Sequence, residues 1–232
     1  MKVIGENFVK LPIDESESKK NDIQEILNGN VPEETLKRCA NQATSILTGI
    51  AELTDSLFLC SAVALRPSVL TALGVTCVVN AAAELPDTPL PNDSIVYFKV
   101  CILDRVQCDL LQHFDTVSDL IQEIRKSGGK TLVHCVAGVS RSASLCVAYL
   151  MKYQHMSLLQ AYNYVKSKRP QIKPNNGFFR QLIEYEYRLF GENSVKMVYN
   201  DYVNAEIPEV YACDYQKMIW FQKTYNRNFG RH

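Results

Sequence analysis

Two kinds of hydrophobic pattern alternate through the middle of this chain, and the alternation leaves few folds open. V-T-C-V-V-N-A at 75–81, S-I-V-Y-F-K-V-C-I at 94–102 and T-L-V-H at 131–134 are short apolar runs rich in β-branched residues, as buried strands are. Between the last two, apolar residues recur at 110, 111, 114, 117, 120, 121 and 124, the spacing of a helix with one buried stripe. Asp109 stands where the N-cap of that helix belongs, and Gly128-Gly129 where it should stop. A further helix is expected after His134, reaching about Tyr153. Ser157 and Gln160 form a capping box for one ending before Pro170, and a last helix spans about Asn176 to Phe190, with Gly191 as its stop. Upstream, residues 50–60 read as a strand or hairpin, and 65–73 as a short helix closed by Gly74. Strand–helix order with short connections predicts an α/β domain with a central, mostly parallel, twisted sheet flanked by helices. Ligands of such sheets sit beyond the carboxyl ends of the strands.

The 232 residues suffice for one sizeable core. Twenty-five Lys and Arg balance 25 Asp and Glu, which argues against a general nucleic-acid binder. No apolar run is long enough to span a membrane. The opening M-K-V-I-G-E-N-F-V-K has too short an apolar segment for a signal peptide, and Lys2 stands where N-myristoylation needs glycine. The eight cysteines include no C-x-x-C pair and no Cys/His quartet at zinc spacing, so no metal site is expected. Cys60 and Cys77 lie in apolar runs and read as reduced core thiols of an intracellular protein, cytoplasmic first and nuclear second. Residues 1–30, with D-E-S-E-S-K-K-N-D at 14–22, read as a flexible extension, and 31 to about 48 as a helix with Pro32 at its first position. The folded domain is expected over 31–192, with 193–232 an extension packed on it and mobile at its end.

The stretch H-C-V-A-G-V-S-R-S at 134–142 lies at the carboxyl end of the strand 131–134, just before a helix. A helix start offers free backbone N–H groups and a positive dipole end. The small residues Val136, Ala137, Gly138, Val139 and Ser140 let successive amides converge on an anion, and Gly138 can adopt a conformation closed to other residues. Arg141 adds a planar fork able to grip two phosphate oxygens. Cys135 sits at the mouth of this positive pocket, where the amides and the guanidinium favour the nucleophilic thiolate. Ser142 can hydrogen-bond the sulfur and help it depart. His134 reads as an orienting group for the loop, not as a ligand or base. Cys146, on the following helix, reads as a core thiol.

Ester cleavage also needs a proton for the leaving oxygen, hence a carboxylic acid over the pocket. Asp87, Asp93, Asp104, Asp109, Asp115 and Asp119 are the upstream candidates. Asp104 is favoured, because it follows the strand 94–102 in the loop C-I-L-D-R-V-Q-C, beside the strand of the cysteine. Asp109 stands second, with a competing task as a helix cap.

The stretch resembles the H-C-x-x-G-x-x-R-S signature of cysteine-dependent protein tyrosine phosphatases, in the A-G-x-S-R-S form of the dual-specificity branch. V-V-N-A at 78–81, L-D at 103–104, A-Y-L-M-K-Y at 148–153, A-Y-N-Y-V-K-S-K-R-P at 161–170 and I-K-P-N-N-G-F-F-R-Q-L at 172–182 extend the likeness. V-K-M-V at 195–198 and I-P-E-V-Y at 207–211 are similar to the small atypical members numbered fourteen, eighteen and twenty-one. The resemblance covers about residues 45–211. It implies a tyrosine phosphatase-like fold and hydrolysis of phosphotyrosine and phosphoserine/threonine esters through a phosphocysteine. Cys135 would be the nucleophile, Arg141 the phosphate clamp, Asp104 the general acid and then base, and Ser142 the group assisting departure of sulfur. The backbone of 136–141 would cradle the phosphate, with no metal or other cofactor. Phosphoproteins are the implied partners, mitogen-activated protein kinases among them. A phosphatase of lipid, glycan or RNA-end esters, or a phosphoprotein-binding module, is the alternative. Lysines inside 136–140, the mark of phosphoinositide enzymes, are absent.

Overall fold

The computed structural model describes residues 49–216. The extension expected at 1–30 and the helix expected from Val31 to about 48 lie outside the described residues, as does the end of the chain after 216. Five strands form one sheet: β1 (Ile50–Thr54), β2 (Leu57–Ser61), β3 (Cys77–Asn80), β4 (Val96–Lys99) and β5 (Thr131–Cys135), in the order β1-β2-β5-β3-β4. The β1–β2 pair is an antiparallel hairpin, and the other three pairings are parallel. This is the mostly parallel sheet that the strand–helix order predicted.

Strand β5 is buried along its whole length, because neighbours flank it and helices or loops cover both faces. Successive side chains of a strand point to opposite faces. Val133 and Cys135 accordingly join the larger core, beneath α2 (Phe114–Lys126), α3 (Arg141–Gln154), α4 (Leu158–Lys168) and α5 (Asn176–Phe190). Leu132 joins the smaller core under α1 (Pro67–Leu73), with Phe58, Leu70 and Val78.

The helix signals are realised with one revision. Pro67 opens α1 and Gly74 closes it at φ 67°, while Ser157 and Gln160 exchange both bonds of the capping box of α4. The Asn175 side chain caps α5, and Gly191 ends it. The N-terminus of α2 departs from expectation. Leu111–His113 is a 3₁₀ turn, so the regular helix begins at Phe114 and Asp109 is not its N-cap. The Asp109 carboxylate accepts from the backbone amide of Gln112 at a long 3.3 Å, whereas Gln181 of α5 reaches across to accept the Leu110 and Leu111 amides at 2.7 and 2.8 Å. A cap from another helix made the local one dispensable.

After α5, β6 (Met197–Asn200) and β7 (Ala205–Pro208) form an antiparallel pair of their own. Tyr211 follows, buried against the rings of Phe179 and Tyr162, with its hydroxyl donating to the Pro174 carbonyl at 2.8 Å.

Candidate active site

Parallel pairing of β5 with β2 and β3 brings Cys135 to the carboxyl edge of the sheet centre. The chain then bends through 136–140 and enters α3 at Arg141. No side chain caps that helix start, so its end faces the loop unneutralised. Cys135 is only 1% exposed and its Sγ accepts two hydrogen bonds, from the Gly138 amide at 3.2 Å and from the Ser142 hydroxyl at 3.1 Å.

Glycine at 138 is required twice. Its φ is 66°, and a Cβ there would lie 2.3 Å from the Cys60 carbonyl oxygen. Strand β2 therefore supports the turn from beneath.

Arg141 is 3% exposed. Its Nη1 donates to Glu84 Oε2 at 2.6 Å and to the Ile102 carbonyl at 3.0 Å, and its Nη2 donates to Glu84 Oε1 at 2.6 Å. The Nε atom is buried with no hydrogen-bond partner and lies 3.8 Å from Asp104 Oδ2. A buried unpartnered donor is costly, and here it belongs to the residue expected to clamp an anion. Burial disfavours the charge of Arg141, yet Glu84 and the neighbouring sulfur and carboxylate outweigh it and raise its pKa. In return, the hydrogen bonds from Arg141 hold the Glu84 carboxyl below the usual carboxylate range.

Asp104 Oδ1 accepts from the Ser140 hydroxyl and from Asn175 Nδ2, each at 2.8 Å. Those bonds suspend it beside the loop on which Cys135 and Arg141 sit. The other carboxylates are engaged elsewhere or exposed. Asp87 pairs with Lys99, Asp115 and Asp119 pair with Lys152, and Asp93 stands in an exposed turn.

His134 is buried, its Nε2 2.9 Å from the Thr88 hydroxyl and its Nδ1 3.4 Å from the Cys135 carbonyl. Burial pushes its pKa down to about 4, so at neutral pH it is an uncharged link between the loop and the proline-rich segment. Cys146 is fully buried, and burial pushes its thiol far up.

The structure thus gathers Cys135, Arg141, Asp104, Ser142 and His134 around the loop 136–140. Glu84 and Asn175 join them without having been anticipated. Glu84 follows A-A-A at the carboxyl end of β3, an address that marks ligand sites, whereas Asn175 reads from sequence only as a helix cap.

Residues 57–188, more than half of the chain, match the family described as dual specificity phosphatase, catalytic domain. The chain belongs to the dual-specificity phosphatases. It is 52% identical over 164 residues to dual specificity protein phosphatase 14 of Mus musculus, covering 70% of this chain and 81% of that protein. It is 46% identical over 170 residues to dual specificity protein phosphatase 21 of Homo sapiens, covering 73% of this chain and 87% of that one. Among solved structures, a mouse putative dual specificity phosphatase complexed with zinc tungstate superposes with a TM-score of 0.59 and 34% identity, over 62% of this chain and 90% of that one. This dual-specificity phosphatase is accordingly a protein phosphatase, with phosphoproteins as its substrates.

Proposed function

We propose that this phosphatase cleaves phosphotyrosine and phosphoserine/threonine esters through a phosphocysteine on Cys135. The Sγ attacks phosphorus while the ester P–O bond breaks, and the departing oxygen takes its proton from the Asp104 carboxyl. The Arg141 Nε–H and the amides of 136–141 stabilise the charge on the non-bridging oxygens. Water then attacks the phosphocysteine, giving its proton to Asp104 as the S–P bond breaks, and the Ser142 hydroxyl stabilises the returning thiolate. His134 and Glu84 act at one remove, orienting the loop and the guanidinium.

One observation carries this reading: the unpartnered Arg141 Nε, between Asp104 and the loop whose amide already binds the sulfur. Tungstate, an oxyanion of phosphate shape, in the related mouse structure supports it. The likeness to the small atypical members supports mitogen-activated protein kinases among the substrates, which a phosphopeptide panel on the intact chain tests. For the mechanism, the intact chain is expected to hydrolyse a small aryl phosphate, with inhibition by vanadate, and Cys135→Ser is expected to abolish hydrolysis. Equal rates for the two proteins would overturn the assignment.

A further inference from the structure

The amides that would hold a phosphate belong to peptide units whose carbonyls point the other way, since N–H and C=O are antiparallel across a trans peptide. Each outward carbonyl of the loop therefore needs a donor inside the protein. The Val136 carbonyl accepts from the Ala62 amide at 3.1 Å, and the Val139 carbonyl from the Lys173 amide at 2.9 Å. The Ser140 carbonyl accepts from the amide and the hydroxyl of Ser144, each at 2.9 Å. The two in the middle of the loop share one side chain. Arg169 Nη2 donates to the Ala137 carbonyl at 3.1 Å and Nε to the Gly138 carbonyl at 2.7 Å, while Nη1 reaches the Gly49 carbonyl at 2.7 Å.

We infer that Arg169 is a positioning residue of the phosphate cradle, turning the 137–138 and 138–139 peptide units so that their amides face the anion. The inference rests on the phosphocysteine reading above and adds to it a second arginine, behind the loop. For the first unit the consequence is visible: its carbonyl is held by Arg169 and its amide, that of Gly138, donates to Cys135 Sγ.

The chain presents Arg169 for this task by ending α4 there. Pro170 cannot continue the helix, and Arg169 leaves it at φ −139°. The side chain is 5% exposed, and among the described residues no carboxylate pairs with it. Burial disfavours its charge, while the sulfurs of Cys60 and Cys135 favour it. An arginine buried against carbonyls alone is an expensive way to stiffen a loop, and a lysine would offer no planar fork with which to hold two peptide units at once.

The test compares the intact chain with Arg169→Met and Arg169→Lys, all normalised to the number of Cys135 sites that iodoacetamide alkylates. Arg169→Met is expected to lower kcat/KM for a small aryl phosphate about 100-fold, the scale of an ångström-sized misplacement of reacting groups. The concentration of inorganic phosphate that slows alkylation of Cys135 is expected to rise about tenfold, as for loss of one hydrogen bond to a charged group. Arg169→Lys, which keeps the charge, is expected to recover less than a tenth of the lost kcat/KM. It carries the test alone if the Met variant does not fold. Per-site kcat/KM and phosphate protection within twofold of the intact chain, with only the melting temperature lowered, would make Arg169 a purely structural residue and overturn the inference. Full recovery by lysine would overturn the geometric account in favour of charge alone. Phosphate protection requires no turnover, so it tests Arg169 even if Cys135→Ser were to disprove the phosphocysteine reading.

Discussion

Adding a single methyl group at residue 138 separates two costs that are usually confounded. Gly138 and Gly74 have nearly the same positive φ, 66° and 67°. Alanine in that region costs roughly 1–2 kcal/mol of backbone strain wherever it is placed. A Cβ on residue 74 would meet nothing within 4 Å, so Gly74→Ala is expected to show the strain alone. That is a fall in melting temperature of roughly 2–8 °C for a domain of this size, with kcat/KM unchanged. At residue 138 the same Cβ would sit 2.3 Å from the Cys60 carbonyl oxygen and 2.8 Å from Arg169 Nη2. An ordinary contact with that oxygen begins at 3.4 Å, so either the loop or β2 must yield by on the order of 1 Å. Strand β2 is paired on both sides and buried, and the loop is what moves. The displacement would carry the Gly138 amide away from the sulfur, and a shift of that size costs about 100-fold in rate. Aryl phosphate hydrolysis and thermal melting of both variants read the two costs separately. If Gly138→Ala keeps kcat/KM within threefold of the intact chain, the close approach of loop and strand does not matter to the site and the reasoning fails.

Three further outcomes follow from the same structure. Asp104→Ala is expected to slow turnover about 100- to 1,000-fold for poor leaving groups and far less for good ones, measured across substituted aryl phosphates; the same pattern in Asp109→Ala instead would move the acid. The His134 pKa falls from 6.5 in the unfolded chain to about 4 on burial, so between these values only the unfolded chain binds the proton. Stability therefore rises with pH across that window, with ~3 kcal/mol lost on acidification through it. His134→Asn, followed by denaturant titration at several pH values, should lack this component. Glu186 is buried and accepts from the Leu158 amide and from the amide and hydroxyl of Ser194. Glu186→Ala leaves those donors unmatched and should cost ~3 kcal/mol, lowering the melting temperature by roughly 6–12 °C. The rate per folded molecule should not change.

Legibility from sequence followed the range of each interaction. The start of α4 and the end of α5 could be read because Ser157, Gln160 and Gly191 act on backbone within a few residues. The start of α2 was misplaced because Gln181, distant in sequence, supplies its cap. Strands β3 and β5 announced themselves by being buried on both faces, whereas β6 is half-exposed along its length and carries no alternation to read. In the site, Cys135 and Arg141 share one loop whose spacing was informative by itself. Asp104 needed the added premise that adjacent parallel strands bring their following loops together. Glu84 and Arg169 were invisible, since one grips a side chain and the other backbone carbonyls brought near only by folding.

The donors that brace the outward side of the loop come from the end of β2, from the first turn of α3 and from two residues beyond α4. A ribosome-bound chain that has emerged only through α3 would carry its nucleophile and clamp on a loop braced by Ala62 and Ser144 but not yet by Arg169 and Lys173. With Arg169 as a positioning residue, chemical competence therefore waits until the segment just beyond α4 has emerged and folded against the loop.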